Sequence, residues 1–207
     1  MAAGLRERKK QQTRRAISDA ATQLFMTRGF DNTTVGEVAQ AANVSEQTVL
    51  NYFPAKTDLF FDEADWYVGP PQALRERGSA ESAGEAVLHW YLADLQRRHV
   101  EGHLDDLAVY LQTITASETL RRRRLDDLAR LTAALQAALD DVSPHEHPWE
   151  AQLDAAMITS AIMVAESETA RLSRVLAGPD LLHAAEQAAT FIFERIRANL
   201  QRGESAH

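Results

Sequence analysis

Helix breakers are scarce in this chain and fall at a few defined places. Nine glycines and six prolines are spread over 207 residues, and no stretch alternates apolar and polar residues as a half-buried strand does. The chain therefore reads as helix almost throughout, with its breakers marking the ends. A first helix is expected from about Lys9 to Arg28, with Ile17, Ala20, Leu24 and Phe25 on one apolar stripe and Gly29 at a left-handed C-terminal cap. Thr34, with Glu37 three residues on, has the spacing of a capping box and opens a short helix carrying Val35, Val38, Ala39 and Ala42. Asn43, a residue that tolerates left-handed backbone, breaks it. Ser45 caps a third helix, about Glu46 to Phe53; Pro54 closes it, and a fourth starts near Lys56. Gly69-Pro70-Pro71 reads as a break, followed by a poorly periodic connection through Gly84. Longer helices are expected over 85–99, 103–116, 118–141, about 149–176 and about 180–201.

The length admits one domain or two, and a composition shift between residues 56 and 66 places the division there. Cysteine is absent, which removes disulfides, thiolate metal sites and a cysteine nucleophile. The basic N-terminus is not followed by an apolar run, so no secretory signal is expected. The longest weakly polar run, Ala155 to Ala165, is far short of the ~18–20 residues of a membrane span. These features predict a cytoplasmic protein without a membrane partner. The net charge of -8 conceals an asymmetry: residues 1–56 hold eight basic and five acidic side chains, the remainder 14 and 25. A basic head on an acidic body fits a head that meets a polyanion, or a solvated first helix on an acidic protein.

The second and third helices, short and joined by a tight turn, fit a helix-turn-helix. Val38, Ala39, Val44, Val49 and Phe53 would pack them together and onto the first helix. That leaves Glu46, Gln47, Thr48, Leu50 and Asn51 on or beside the outer face of the third helix. Such a face can read base edges: Gln and Asn pair bidentately with adenine, and Leu or a Thr methyl touches the thymine methyl. Glu46 would accept from cytosine or repel a phosphate.

The stretch AISDAATQLFMTRGFDNTTVGEVAQAANVSEQTVLNYFPAKTDLF strongly resembles the DNA-binding domain of the tetracycline-repressor (TetR) family of transcriptional regulators. The resemblance rests on Ala-Ala-x-x-Leu-Phe in the first helix, Gly29-Phe30, Thr33-Thr34-Val35, Val44-Ser45, and Tyr52-Phe53 followed by Lys56, and covers about a quarter of the chain. It implies an all-α protein: a three-helix DNA-binding domain at 1–56 and a larger helical ligand-binding and dimerisation domain at 57–207. It implies that Thr34 sits with its N–H near a phosphate, that Tyr52 contacts a phosphate, and that Lys56 is the lysine opening the fourth helix. Ser45, Glu46, Gln47, Thr48, Leu50 and Asn51 complete the expected DNA-binding set. The Arg8–Arg15 cluster would run along the backbone or enter the minor groove from a flexible arm, or stay solvated. The family usually has glycine where Asn43 stands, often a small residue at the Gln47 position and a bulky aromatic at that of Leu50, so an operator different from those of better-known relatives is expected.

Beyond that domain, small residues and Ile/Leu at helical spacing on the last two helices (Ala155, Ile158, Ile162; Ala188, Ile192, Ile196) suggest a homodimer interface or an internal core. Trp90, Tyr110, Met157 and Glu166 are the candidates for an effector cavity, with ordinary core as the alternative. An unpaired Glu166 would favour a cationic effector. His99 with His103 and His145 with His147 lack a third ligand in register, so no metal or other cofactor is expected. The Arg121–Arg124 run reads as a solvated face with intrahelical ion pairs. No motif of an enzyme stands out. The sequence thus points to a homodimeric regulator, a repressor bound to a pseudo-palindromic double-stranded operator and released by a small molecule; the alternative is an all-helical small-molecule carrier without sequence-specific DNA binding.

Overall fold

The computed structural model describes residues 2–62, 67–78, 80–142 and 147–204, with side chains from 6 to 196 of these, Pro148 apart. They contain no strand and run through the α-helices α1 (Ala2–Arg28), α2 (Val35–Ala41), α3 (Glu46–Tyr52), α4 (Lys56–Phe60), α5 (Gly69–Glu76), α6 (Ala83–Glu101), α7 (Leu107–Ala116), α8 (Glu118–Val142), α9 (Pro148–Leu172) and α10 (Gly178–Glu204). None of these helices is long and apolar enough to cross a membrane. The chain divides into two compact units, one of residues 1–64 with 112–123 and one of residues 65–111 with 124–207. This differs from the expected division at 56/57, because α4 packs on α1 and because the start of α8 belongs with the N-terminal helices.

In the first unit, Ile17, Ala21 and Phe25 of α1 are buried at successive turns. The inward stripe runs through Ala21, while Ala20 and Leu24 flank it half-buried. Val38 and Ala39 of α2, Val49 and Phe53 at α3, and Leu59 of α4 close the core. Phe25, Phe30 and Phe60 form an aromatic triangle with centroid separations of 5.1, 5.9 and 6.0 Å, in the range where tilted and edge-to-face rings attract. The Ser117 hydroxyl donates to Asp31 Oδ1 at 2.8 Å, and Arg123 Nη1 to Asp58 Oδ1 at 2.9 Å, which ties the start of α8 to the loop after α1 and to α4.

In the second unit α10 packs along both α9 and α6, and α5 along α6. Gly69-Pro70-Pro71, expected as a break, begins α5: proline suits the first turn of a helix, where its missing N–H would have had no partner. A Cβ on Gly69 would collide with the indole of Trp90, so glycine permits the close approach of α5 to α6. The core of this unit is built on α9 by Ala151, Ala155, Ile158, Ala161, Ile162 and Ala165, facing Leu181, Ala185, Ala189 and Phe193 of α10 and Tyr91 and Leu95 of α6. The small side chains let the helices approach closely. Ala155, Ile158 and Ile162, expected at a surface between chains, are therefore interior residues at 0–3% exposure. Ala188, Ile192 and Ile196 are half-buried on α10, the two isoleucines packing against the same core.

A matched pair of substitutions on α10 tests this inside–outside assignment. Phe193 is 2% exposed and Phe191 65%. Phe193→Ala is expected to cost about 3–5 kcal/mol, and Phe191→Ala markedly less, in denaturant unfolding of the second unit followed by tryptophan fluorescence.

Candidate nucleic-acid interface

The geometry of the first unit is set by caps. Thr34 has extended backbone (φ -101°, ψ 157°) and its hydroxyl accepts the Glu37 N–H at 3.2 Å, while Glu37 Oε2 accepts the Thr34 N–H at 2.8 Å. The reciprocal box satisfies two donors at the start of α2 that the helix itself cannot. Arg28 Nη1, 3.1 Å from Glu37 Oε1, fastens that box to the end of α1. Donation from the Thr34 main chain, and then from its hydroxyl, holds the Glu37 carboxyl below its ordinary value near 4.5. In the turn, Asn43 has φ +55° and the Val44 N–H donates to Ala39 O at 2.9 Å; the left-handed residue reverses the chain within three residues. Ser45 caps α3, accepting the Thr48 N–H at 3.1 Å and sharing a 2.8 Å hydroxyl contact with Thr48.

Val49 and Phe53 face inward, which leaves Glu46, Gln47, Leu50 and Asn51 exposed on α3 and Thr48 half-buried. Gln47 Nε2 donates to Asn51 Oδ1 at 3.1 Å, so the two amides are held side by side one turn apart. Leu50 stands beside them, 40% exposed despite being apolar. The Glu46 carboxylate leans across to α2, into the space a Cβ on Gly36 would take, instead of standing clear of α3. Tyr52 is half-buried at the end of α3.

Two basic residues behave differently from expectation. Lys56 folds inward: its ammonium donates to the Phe30 carbonyl at 2.6 Å and lies 4.2 Å above the Phe30 ring centroid. Burial lowers its pKa, with Asp31 and Glu37 opposing. Its principal contacts are thus with the first unit itself. Arg14 lies 4.4 Å over the Phe53 ring, pairs with Asp62 and donates to the Tyr52 carbonyl at 3.5 Å. The stretch around it is helical from Ala2 onward, not a flexible arm. Neither contact has a local sequence signal, since Lys56 and Phe30 are 26 positions apart and Arg14 and Asp62 are 48 apart.

The second unit holds a separate cavity of about 20 Å³, room for a single water-sized guest, walled by Trp90, Tyr91, Leu95, Leu107 and Ile162 on its apolar side and by Asp94, Arg98 and Glu166 on its polar side. Burial, and then Glu166, push the Tyr91 hydroxyl well above its ordinary value, so it stays a neutral phenol. Of the four expected effector residues, Trp90 and Glu166 line this cavity; Tyr110 and Met157 are not in its walls. Glu166 is ion-paired with Arg124, which removes the premise of an unpaired carboxylate. The arginine run divides accordingly: Arg121 and Arg122 pair with Glu118 on their own helix, whereas Arg123 and Arg124 make tertiary pairs. His147 stacks on Trp149 at 5.7 Å; His145 lies outside the described residues.

Residues 17–62 match the family model described as bacterial regulatory proteins, tetR family. The chain is 36% identical over 56 residues to the HTH-type transcriptional regulator TcmR of Streptomyces glaucescens, a match covering 27% of this chain and 25% of that protein. It thus spans only about a quarter of that relative's length. Two solved structures show the likeness of fold across the chain. The first is NalD of Pseudomonas aeruginosa, the secondary repressor of the MexAB-OprM multidrug efflux pump, with a TM-score of 0.60, 20% identity and coverage of 92% and 96% of the two chains. The second is SmeT in complex with triclosan, with a TM-score of 0.63, 12% identity and coverage of 91% of each.

The capping box predicts a pH response. A carboxyl whose folded pKa is depressed contributes stability that is present above its unfolded value and is lost as pH falls through the folded value. The Glu37 carboxyl is therefore expected to titrate below 4.5, with the α2 amides losing exchange protection as it protonates. Thr34→Ala should move that midpoint back toward 4.5 and destabilise the first unit by about 1 kcal/mol. NMR titration of the Glu37 side chain with amide exchange checks both.

Proposed function

The chain carries at residues 17–62 the DNA-binding domain of the tetR family of bacterial regulatory proteins, and from that premise we propose that it is a homodimeric transcriptional repressor, released from a pseudo-palindromic operator by a small molecule. The observation that carries this reading is the exposed row on α3, where Gln47 and Asn51 present hydrogen-bonded amides beside Leu50 on a helix capped at Ser45. Amides suit adenine edges and Leu50 suits a thymine methyl in the major groove. Glu46 accepts from cytosine once it leaves Gly36. Thr34 offers its end of α2 to a phosphate, and Tyr52 its ring edge or hydroxyl to the next. Lys56 acts by positioning, bracing Phe30 and the start of α4.

A pseudo-palindrome requires two heads, and the second unit offers a surface to pair them. On α9 the face opposite the core exposes Trp149, Leu153, Met163 and Val164 at 43–58%, and α10 exposes Phe191. An apolar stripe of this size on a helix already packed on its other side is a protein–protein surface. It replaces Ala155, Ile158 and Ile162 as the contact between chains, with Ala188 and Ile192 at its margin on α10. The effector site is the cavity beside Trp90, widened on binding, and with Glu166 neutralised by Arg124 an apolar or amphipathic guest suits it better than a bare cation. NalD is described as a repressor and SmeT is held with triclosan, and both descriptions support this reading. Effector binding shifts the population toward a form that does not hold DNA. The small-molecule carrier is the second reading; it needs the cavity but gives no account of the α3 row.

DNA selection from a random duplex library by the full-length chain separates the two. Enrichment of a two-fold-symmetric sequence is expected, and enrichment of none would leave the carrier. On the selected duplex, Gln47→Ala is expected to cost about 1–3 kcal/mol and less on scrambled sequence, and its effect should not add to that of Asn51→Ala because the amides are bonded to each other.

Assembly gives a second test. Leu153→Asp changes an exposed residue, so the chain should stay folded by circular dichroism yet sediment as a monomer and bind the selected duplex weakly. Ile158→Asp buries a charge in the core and should not fold. A wild-type monomer at micromolar concentration contradicts the dimer.

A further inference from the structure

α1 is one uninterrupted helix, yet among its described side chains, from Arg6 onward, the first buried one is Ile17. From Arg6 to Ala16 no residue is buried and only Thr13 is half-buried. About three turns of helix, some 16 Å long, therefore carry no packed face. This stretch holds Arg6, Arg8, Lys9, Lys10, Arg14 and Arg15 against Glu7 alone. Arg14 is engaged with Asp62 and Phe53. The other five basic side chains are exposed and make no ion pair or hydrogen bond with the described residues. Arg6, Lys10 and Arg14 follow one another at i, i+4 and i+8 and so share a face, and Arg14 fixes that face at the C-terminal end of α3 through the Tyr52 carbonyl. Like charges at this spacing destabilise an isolated helix, and so short an unpacked stretch is marginal in water.

We infer that residues 6–15 form a second DNA-contacting element, a helical basic stem that lies along the phosphate backbone flanking the base pairs under α3. This rests on the reading of the chain as a DNA-binding regulator and adds to it a contact that reads no bases. Charge complementarity selects the occupant. Each strand of a DNA duplex carries one phosphate per about 3.4 Å of helix axis, so about 16 Å of stem along one backbone meets on the order of five phosphates, while the rest of the molecule is acidic. A membrane surface fits poorly, because the stem has no apolar stripe with which to enter a bilayer. Neutralising Arg6 and Lys10, one turn apart, also removes their mutual repulsion, so DNA and helical order of the stem stabilise one another.

The test uses the full-length chain with Arg6→Gln, Arg8→Gln, Lys9→Gln and Lys10→Gln together; glutamine keeps the helix propensity and removes the charge. The probes are the duplex enriched from the random library with long flanks, the same duplex trimmed to the base pairs under α3, and a scrambled duplex. On the long duplex the variant's plot of log affinity against log salt should be flatter than wild type by about three to four units per head. The wild-type advantage then shrinks on the order of 10²-fold per head between about 50 and 200 mM salt. Discrimination between selected and scrambled duplexes should be unchanged, and on the trimmed duplex the two proteins should converge. Amide exchange over 6–15 should slow in the wild type when the long duplex is added. An unchanged slope with a wild type that selects its duplex overturns the stem alone, as does loss of discrimination in the variant. A wild type that selects no duplex overturns the regulator reading, and the stem with it.

Discussion

A seven-residue helix cannot hold itself together in water, because nucleation costs more than one or two turns of hydrogen bonds return. Both α2 and α3 have seven residues. Their existence depends on burial of Val38, Ala39, Val49 and Phe53 against the Ile17–Ala21–Phe25 stripe of α1. Only α1 is long enough to serve as the platform. Everything the outer face of α3 can do follows from this, since a helix held from behind by two apolar anchors and at its start by Ser45 keeps its exposed side chains in fixed places. The polar caps contribute less energy than the apolar packing, but they decide where each helix begins and hence which residues of α3 face outward.

The second unit solves a different problem. Its helices are long, and small side chains let them pack closely: α9 puts Ala151, Ala155, Ala161 and Ala165 toward its neighbours and fills the spaces with Ile158 and Ile162. Close packing leaves a cavity of only about 20 Å³ beside Trp90. A cavity of that size has room for a water molecule and no more unless the helices around it move apart. The polar wall there is internally neutralised: Asp94 by Arg97 and Arg98, Glu166 by Arg124. A buried carboxylate left without its arginine would be costly, so these pairs are what satisfies the wall.

What was legible in the sequence was what neighbours in the chain decide. Thr34 with Glu37, Asn43 at the turn and Ser45 before α3 act within four residues of themselves, and each does in the structure what its chemistry suggested. Lys56 and Arg124 were not legible in this way, because their partners lie 26 and 42 positions away. The interior of α9 was misread for another reason: the helix is apolar on two faces, and periodicity detects a stripe without saying which of two stripes turns inward. Gly69-Pro70-Pro71 was read as an ending when the same residues make a beginning, proline being compatible with both. The outward row of α3 was legible because its inward anchors were, the two being complementary on so short a helix.

The fit of Trp90 against Gly69 ties two distant positions of the chain into one inherited unit. With the indole in place, any side chain at 69 meets a filled volume, so a single change there forces α5 away from α6. The reverse order is open: a smaller residue at 90 first leaves a gap, after which 69 is free to vary. Drift at these sites is therefore directional. A lineage that keeps the tryptophan keeps the glycine, and the aromatic wall of the cavity can be exchanged for another only along a path that begins at 90.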